Sequence, residues 1–216
     1  MTKVIAEIGV NWRNLDEADK MIRESAEAGA DIAKFQAYKQ DGFVIGSHLY
    51  SIALTQKDIV YLYHRCNSHG IEFLGTPMYP EAVSMLNPYV KRWKVRYFDR
   101  TNAEIFDQIM EVDKEYKPVL VSSDNPVGAC ERFKILYCVP EYPPIRAPIN
   151  KIPEGFCGVS SHYPDINVVE KWARQGLKYL EVHVKRDKYY PSWCCRDNYV
   201  SITMSELAEL CRRLKT

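Results

Sequence analysis

The chain alternates between short apolar segments and longer amphipathic ones from one end to the other. The short segments are rich in β-branched residues, as strands are, and the longer ones repeat apolar residues at helical spacing. Strands are predicted at residues 4–11, 31–36, 71–76, 92–97, 118–123, 133–139, 156–161 and 177–184. Helices are predicted at residues 14–28, 55–69, 79–86, 103–116, 165–175 and from 203 onwards.

This alternation predicts parallel strands joined by crossover helices. Eight strands match a (β/α)8 TIM barrel. Its fifth helix is expected to be largely missing, because the segment 124–132 is short and contains Pro126 and Gly128. An open, doubly wound sheet is the alternative. It is less favoured because the first strand is not followed by a Gly-rich nucleotide motif.

The segment 156–185 carries two candidate metal ligands. His162 and His183 each follow a predicted strand, and these two strands are joined by one helix. Both imidazoles are therefore expected at the same edge of the sheet, where together they could bind a divalent metal ion. The alternative is that each histidine only caps its strand by a hydrogen bond to the backbone.

Side-chain alternation places further polar residues on the inward face of most strands. Such residues are costly to bury unless they bind something. The inward-facing residues are Glu7 with Asn11, Lys34 with Gln36, Glu72 with Thr76, Lys94 with Arg96, Ser122 with Asp124, Ser160 with His162, and Glu181 with His183. In a barrel they would form a cavity with cations, hydroxyls, carboxylates and a histidine pair at the carboxyl ends of the strands.

Composition limits the kind of ligand. The chain has 216 residues, of which 46% are hydrophobic and 26% charged, and its formal net charge is +1. This charge gives no reason to expect nucleic acid as a partner, and no apolar run is long enough to span a membrane, so a small molecule is the default ligand. Seven cysteines without a CxxC pair favour a reducing compartment. We expect one soluble, cytoplasmic domain over residues 1–216.

The predicted cavity suits a phosphorylated, anionic metabolite, because ammonium and hydroxyl donors match phosphate oxygens. A divalent ion could polarise a carbonyl group, and Glu7 or Glu181 could transfer a proton if burial raises its pKa. From the residues alone, we predict a metal-assisted reaction of the aldol or carbon–carbon bond-forming type.

Seven motifs, in order along the chain, carry a family resemblance. They are IAEIGVN at 5–11, AGADIAKFQAYK at 28–39, GIEFLGTP at 70–77, KPVLVSS at 117–123, YCVPEYP at 137–143, GVSSH at 158–162 and LEVHV at 180–184. Together they resemble the catalytic barrel of the sialic acid synthase (NeuB) family. The resemblance implies condensation of phosphoenolpyruvate with an N-acetylmannosamine-like aldehyde sugar. The products would be a nonulosonic acid and phosphate. The cofactor would be a divalent metal ion, Mn²⁺ or Mg²⁺.

Matched position by position, the resemblance implies roles for individual residues. His162 and His183 would bind the metal, and Glu7, Glu181 and Asp197 would be acidic active-site groups. The predicted substrate-binding residues are Lys34, Gln36, Thr76, Lys94, Arg96, Ser122, Tyr142 and Ser160.

The sequence departs from the family pattern at Trp12, Ser161 and the pair Arg96-Tyr97. The resemblance is expected to cover the catalytic barrel alone, without the C-terminal antifreeze-like domain of full-length synthases. Two other functions therefore stay open. One is a metal-dependent aldolase or isomerase acting on another phosphorylated metabolite, and the other is a binding barrel without turnover.

Three further features allow more than one interpretation. Cys194 and Cys195 could contribute to a Zn²⁺ site, but adjacent cysteines rarely reach one ion and loop thiols are favoured. Aromatic residues near the C-terminal end could stack on a sugar, or only cover the core; they are Tyr189, Tyr190, Trp193 and Tyr199. The missing helix could expose an apolar face that a second subunit or the neighbouring loops would cover, so a homo-oligomer is predicted.

Overall fold

The structure, a computed structural model, describes residues 2–187, 189, 191 and 193–216. The strands are β1 (Lys3–Gly9), β2 (Ile32–Ala37), β3 (Glu72–Pro77), β4 (Trp93–Val95), β5 (Val119–Ser123), β6 (Phe133–Tyr137), β7 (Gly158–Ser161), β8 (Tyr179–Lys185) and β9 (Ser201–Thr203). The α-helices are α1 (Leu15–Ala28), α2 (His48–Ser51), α3 (Gln56–Ser68), α4 (Pro80–Leu86), α5 (Ala103–Val112), α6 (Ile166–Ala173) and α7 (Met204–Lys215).

The strands form a parallel, nearly closed barrel. The hydrogen-bonded order is β3-β2-β1-β8-β7-β6-β5-β4, and β9 pairs with the end of β8. The two strands that end this order, β3 and β4, lie next to each other. The predicted (β/α)8 barrel is therefore confirmed, and the open sheet is not observed.

The predicted strands occur in the predicted order, but three of them end two residues early; one of these is β6, which stops at Tyr137. β1 stops at Gly9, where a positive φ of 55° turns the chain, so Asn11 lies beyond the strand. β4 stops at Val95, and residues 97–99 form a turn of 3₁₀-helix. The short helix α2 and the strand β9 were not predicted, because neither is long enough to show a periodic pattern.

Inside the barrel, an apolar layer lies below the polar one. The inward residues Ile5, Ile32, Leu74, Leu120 and Leu136 pack together as one cluster. Two positions further along the chain from each of these residues, the side chain points to the same face. Apart from Cys138, all of these side chains are ones that sequence analysis placed near the site. At the opposite end of the barrel, Arg92 donates to both Glu72 carboxylate oxygens at 2.6 and 2.8 Å. Glu72 is thus a structural residue rather than part of the predicted cavity.

The outer faces of the strands and the inner faces of the helices share a larger core. Trp12, one of the departures from the family pattern, belongs to this outer core: it is 3% exposed and its ring meets Phe35 edge-on at 6.3 Å. Its indole N–H donates to the carbonyl of Gly9 at 2.9 Å. This residue therefore supports the turn after β1 from outside the barrel.

The helix between β5 and β6, which would be the fifth helix of a complete barrel, is missing, as predicted. Residues 124–132, all described by the structure, form only turns and bends. The face that this leaves uncovered is occupied by the segment before β7. Ile152 and Phe156 of that segment are buried, and the Phe156 ring contacts Tyr137 at 5.4 Å. The neighbouring loops thus cover this face, which was one of the two alternatives that the sequence left open. The homo-oligomer stays a prediction.

No helix in the described ranges is both long and apolar enough to cross a membrane.

The closing helix α7 begins with a capping box, and this gives a test of the fold. The Thr203 hydroxyl accepts from the Glu206 N–H at 3.2 Å, and Glu206 accepts from the Thr203 N–H at 2.7 Å. We expect Thr203→Ala to lower the free energy of unfolding by about 1 kcal/mol, because the first turn loses its side-chain acceptor. Urea unfolding measures this, with exposed Thr101→Ala as the control; equal effects of the two substitutions would contradict it.

Candidate active site

A cavity of about 220 Å³ opens at the carboxyl ends of the barrel strands. Most of the residues that sequence analysis predicted for the site line it. The lining residues are Glu7, Lys34, Gln36, Lys94, Arg96, Tyr97, Phe98, Ser122, Cys138, Tyr142, Ser160, His162, Glu181, His183 and Asp197. Thr76 lies directly beside this set, because its hydroxyl accepts a hydrogen bond from the Lys34 ammonium at 3.1 Å.

Lys34 lies at the centre of the first polar cluster. Its Nζ is 2.5 Å from Glu7 Oε2 and 3.6 Å from Glu181 Oε1, and all three side chains are almost fully buried. Strand register explains the first contact, since Glu7 of β1 and Lys34 of β2 are direct neighbours in the sheet. Gln36 donates to the other oxygen of Glu7 at 2.8 Å.

Lys94 of β4 forms the second polar cluster, two strands away from Lys34 in the barrel. Its ammonium donates to the Ser122 hydroxyl at 2.7 Å and lies 3.8 Å from Glu181 Oε1. Ser160 donates to the same Glu181 oxygen at 2.8 Å. Glu181 therefore links the two lysines, while its second oxygen, Oε2, is buried and has no hydrogen-bond partner among the described residues.

Burial and these contacts shift the pKa values of the groups in the two clusters in different directions. Burial raises the pKa of Glu7, and the nearby Lys34 only partly offsets it. Burial would also raise the pKa of Glu181, but Lys34 and Lys94 outweigh it and lower that pKa to about 2. Burial lowers the pKa of Lys94, with partial compensation from Glu181. Of the two carboxyl groups, Glu7 is thus the one suited to hold a proton.

The two predicted metal ligands do meet. The rings of His162 and His183 have centroids 5.4 Å apart, and both line the cavity. His162 Nδ1 lies 3.2 Å from the Val139 carbonyl and His183 Nδ1 lies 3.1 Å from Asp197 Oδ2, so each Nδ1 carries the proton. In the neutral form of each ring, the lone pair then lies on Nε2, an arrangement typical of metal-binding histidines.

Burial, with the neighbouring His183, lowers the pKa of His162 to about 4, so this imidazole is neutral at pH 7. Burial disfavours the charged form of His183 as well, but Asp197 outweighs it and raises the pKa. In the described part of the chain, no group of three or more His, Cys, Asp or Glu side chains converges as an ion site. An ion here would have two protein ligands and open positions.

Asn11 positions the acidic residue that contacts His183. Its side-chain amide donates to the Val184 carbonyl at 3.0 Å and its oxygen accepts from the Asp197 N–H at 3.1 Å. The Ser201 hydroxyl donates to the Asp197 carbonyl at 2.7 Å. Asn11 was predicted to share an inward face with Glu7. It lies outside the cavity instead, because the chain turns at Gly9.

Several other predicted features lie away from the cavity. Asp124 is half exposed and lies 4.0 Å from Arg100, and Ser161 accepts from the backbone of Tyr163. Cys194 and Cys195 lie in a loop, as favoured, and are buried against each other. No described aromatic residue of the C-terminal loop lines the cavity, since Tyr189, Trp193 and Tyr199 are largely exposed elsewhere, and Tyr190 lies outside the described residues.

Sequence analysis missed three cavity residues, Phe98, Cys138 and Tyr97, the last of which was named only as a departure from the family pattern. Cys138 could have been found from the period of two, because it follows Leu136 of the inner apolar layer. Phe98 could not, because it enters the cavity wall through the 3₁₀ turn that follows β4.

A buried polar cavity at the carboxyl ends of a parallel barrel is the active-site arrangement of TIM-barrel enzymes. Comparison with known proteins shows which family of barrel proteins this chain belongs to. The model of the NeuB family matches residues 21–216, so this chain belongs to the NeuB family, as the motifs indicated.

Two curated relatives and one solved structure are similar to the chain. Human N-acetylneuraminate-9-phosphate synthase is 27% identical, with 98% of this chain and 69% of that protein covered. The N,N'-diacetyllegionaminic acid synthase of Campylobacter jejuni is 26% identical, with 99% and 75% covered. The crystal structure of a sialic acid synthetase from Leptospira borgpetersenii in complex with citrate has a TM-score of 0.75 and 22% identity, with 99% and 82% covered. The chain spans between 47% and 75% of the length of the curated relatives it matches.

The link between the two lysines can be tested through stability. We expect Glu181→Gln to lower the free energy of unfolding by about 3 kcal/mol, because Lys94 loses the carboxylate that compensates its buried charge. Adding Lys94→Met should restore at least half of this loss, since no unpaired ammonium group then remains beside Ser122.

Urea unfolding at neutral pH measures both effects, and the exposed substitution Glu154→Gln serves as the control. A double variant no more stable than Glu181→Gln alone would show that the carboxylate does not compensate Lys94.

Proposed function

We propose that the protein catalyses the condensation of phosphoenolpyruvate with an N-acetylmannosamine-like aldehyde sugar, giving a nonulosonic acid and phosphate. The observation that carries this proposal is the buried cluster of Lys34 and Lys94 with hydroxyl groups, next to the histidine pair. Membership of the NeuB family supports it. The relatives are named for different products, so their names do not specify the acceptor sugar.

Phosphoenolpyruvate carries a phosphate and a carboxylate, and the two lysine clusters would bind them. Each ammonium already has a hydroxyl beside it, Thr76 for Lys34 and Ser122 for Lys94. Ammonium and hydroxyl donors together match the oxygens of both anionic groups. Because these side chains are held by the barrel strands, they would orient the donor without first reorganising.

The residues present fit a divalent metal ion. His162 and His183 would be its protein ligands, each held through its Nδ1–H, and the second oxygen of Glu181 is a further group without a partner among the described residues. When bound, Mn²⁺ or Mg²⁺ would act as a Lewis acid on the aldehyde oxygen. An open, two-histidine site with oxygen ligands from substrate and water suits these ions better than Zn²⁺.

The reaction balances in two steps. The methylene carbon of phosphoenolpyruvate forms a bond to the aldehyde carbon, and the aldehyde oxygen takes up a proton. A water molecule then adds to the oxocarbenium carbon and loses a proton. The bond from that carbon to the phosphate oxygen breaks, the new hydroxyl group becomes the keto group, and its proton leaves with the phosphate. Glu7 can supply or accept a proton, because burial raises its pKa above the ordinary value of a carboxyl group. Tyr142, whose pKa burial also raises, stays protonated and can donate to Asp197.

The proposal predicts phosphate release that requires all three components. We expect phosphate to appear when phosphoenolpyruvate, Mn²⁺ and an N-acetylated aldehyde sugar are present together, and not when any one is omitted. A phosphate assay with a panel of aldehyde sugars measures this. Binding of phosphoenolpyruvate without release by any sugar would instead favour a binding barrel, and turnover of another phosphorylated metabolite would favour an aldolase or isomerase.

The metal site gives a separate prediction. His162→Ala and His183→Ala should each lower Mn²⁺ affinity at least tenfold, because each removes one of the two proposed imidazole ligands. Isothermal titration with MnCl₂ measures this without turnover. His64→Ala, on the exposed surface of α3, should bind Mn²⁺ like the unmodified protein. Unchanged affinity in both site variants would overturn the proposed ligands.

A further inference from the structure

Lys34 and Lys94 are both almost fully buried, but their charges are compensated to different extents. The Nζ of Lys34 is 2.5 Å from Glu7 Oε2 and 3.6 Å from Glu181 Oε1. Burial would lower the pKa of Lys34, but these two carboxylates outweigh it and raise that pKa. The Nζ of Lys94 is 3.8 Å from the same Glu181 oxygen, and no other carboxylate of the described residues is as close. Lys34 is therefore fixed as an ammonium ion, whereas Lys94 has weaker compensation.

The hydrogen bonds of Lys94 match those of a neutral amine. Its Nζ donates to the Ser122 hydroxyl at 2.7 Å and to the Val95 carbonyl at 3.2 Å. A neutral amine has two N–H donors and one lone pair, whereas an ammonium ion has three donors. With two donors in use, the remaining position of the nitrogen has no hydrogen-bond partner among the described residues, and Lys94 lines the cavity. In the neutral form, the lone pair is thus not engaged by the protein.

Two features of the surroundings favour this neutral form. Burial lowers the pKa of Lys94, and Glu181 only partly compensates. The positive charge of Lys34, which lies near the same Glu181 oxygen, lowers that pKa as well. A lysine that is desolvated and close to another cation is the arrangement that activates an amine as a nucleophile. Such amines attack carbonyl carbons and form Schiff bases.

We propose that Lys94 forms a reversible Schiff base with small 2-oxo acids such as pyruvate. The amine adds to the carbonyl carbon of the acid, and a carbon–nitrogen bond forms. The carbonyl oxygen takes one proton from the nitrogen and one from solvent and leaves as water, so that an iminium ion remains. This ion carries the same charge as the original ammonium ion, and Glu181 compensates it in the same way.

The class of ligand follows from the groups that surround the nitrogen. A 2-oxo acid has an electron-poor carbonyl group next to a carboxylate. The Lys34 ammonium and the Thr76 hydroxyl, 3.1 Å apart, are donors for such a carboxylate. The cavity of about 220 Å³ has room for a three-carbon acid. Phosphoenolpyruvate has no keto group and would contact Lys94 only through its charge, so the Schiff base is a separate property of the same lysine.

Reductive trapping tests this inference on the unmodified protein. The protein is incubated at pH 7 with pyruvate and sodium cyanoborohydride, without phosphoenolpyruvate, sugar or metal ion. The reductant converts the iminium ion to a stable secondary amine, so the intact mass should rise by one carboxyethyl group. Peptide mapping should place this group on Lys94. Buried Lys34 and exposed Lys151 should carry roughly tenfold less, because less of each is a neutral amine at pH 7.

Lys94→Arg is the test variant, and Lys151→Arg is its matched control. Arginine keeps a positive charge beside Glu181, but its guanidinium is not deprotonated in proteins and forms no adduct. Lys94→Arg should lose the modification, and Lys151→Arg should keep it. Circular dichroism checks that both variants fold, and the peptide map of the unmodified protein decides the question if Lys94→Arg does not.

The inference is overturned if no adduct forms, if the adduct lies on Lys34 or is spread over exposed lysines, or if folded Lys94→Arg still gives it. Its failure is distinct from failure of the proposed function, because the trapping reaction contains none of the three components that phosphate release requires. An adduct on Lys94 in a protein that releases no phosphate would overturn the proposed reaction and support the Schiff base. Phosphate release without an adduct would do the reverse.

Discussion

The buried ion cluster of Lys34, Glu7, Glu181 and Lys94 is the constraint on which the candidate site depends. Two ammonium groups inside a barrel are unfavourable unless carboxylates compensate them, and Glu181 lies 3.6 and 3.8 Å from the two lysines. A core of apolar residues at these positions would be no less stable, and often more so. The retention of four charged groups there therefore points to ligand binding rather than to stability.

The barrel makes this cluster possible by layering its interior. Apolar side chains such as Ile5 and Ile32 fill the lower part of the barrel, and the next inward positions, Glu7 and Lys34, face each other across neighbouring strands. The layer below excludes water from one side, and the loops at the mouth leave the other side open. The lysines are thus desolvated yet accessible to a small anionic molecule.

The second feature of the site is support from outside the cavity. Asn11 and Ser201 hold the backbone of Asp197, and Asp197 in turn fixes the tautomer of His183. In a similar way, Asp99 accepts a hydrogen bond from Arg96 and orients its guanidinium at the mouth of the cavity. In both cases a buried carboxylate in a turn or loop orients a guanidinium or imidazole group, and that group belongs to a strand or directly follows one.

The sequence by itself determined the strand order, the missing fifth helix and the inward placement of residues such as Lys34, Lys94 and Glu181, because side-chain alternation along a strand is a local property. It also predicted that His162 and His183 would meet, since parallel strands bring their carboxyl ends to one edge. Only the tertiary structure decided what lies beyond the strand ends. Asn11 left the cavity at the turn of Gly9, Glu72 paired with Arg92 at the far end of the barrel, and Phe98 entered the cavity wall. Those positions depend on turns and on long-range partners, which no local periodicity encodes.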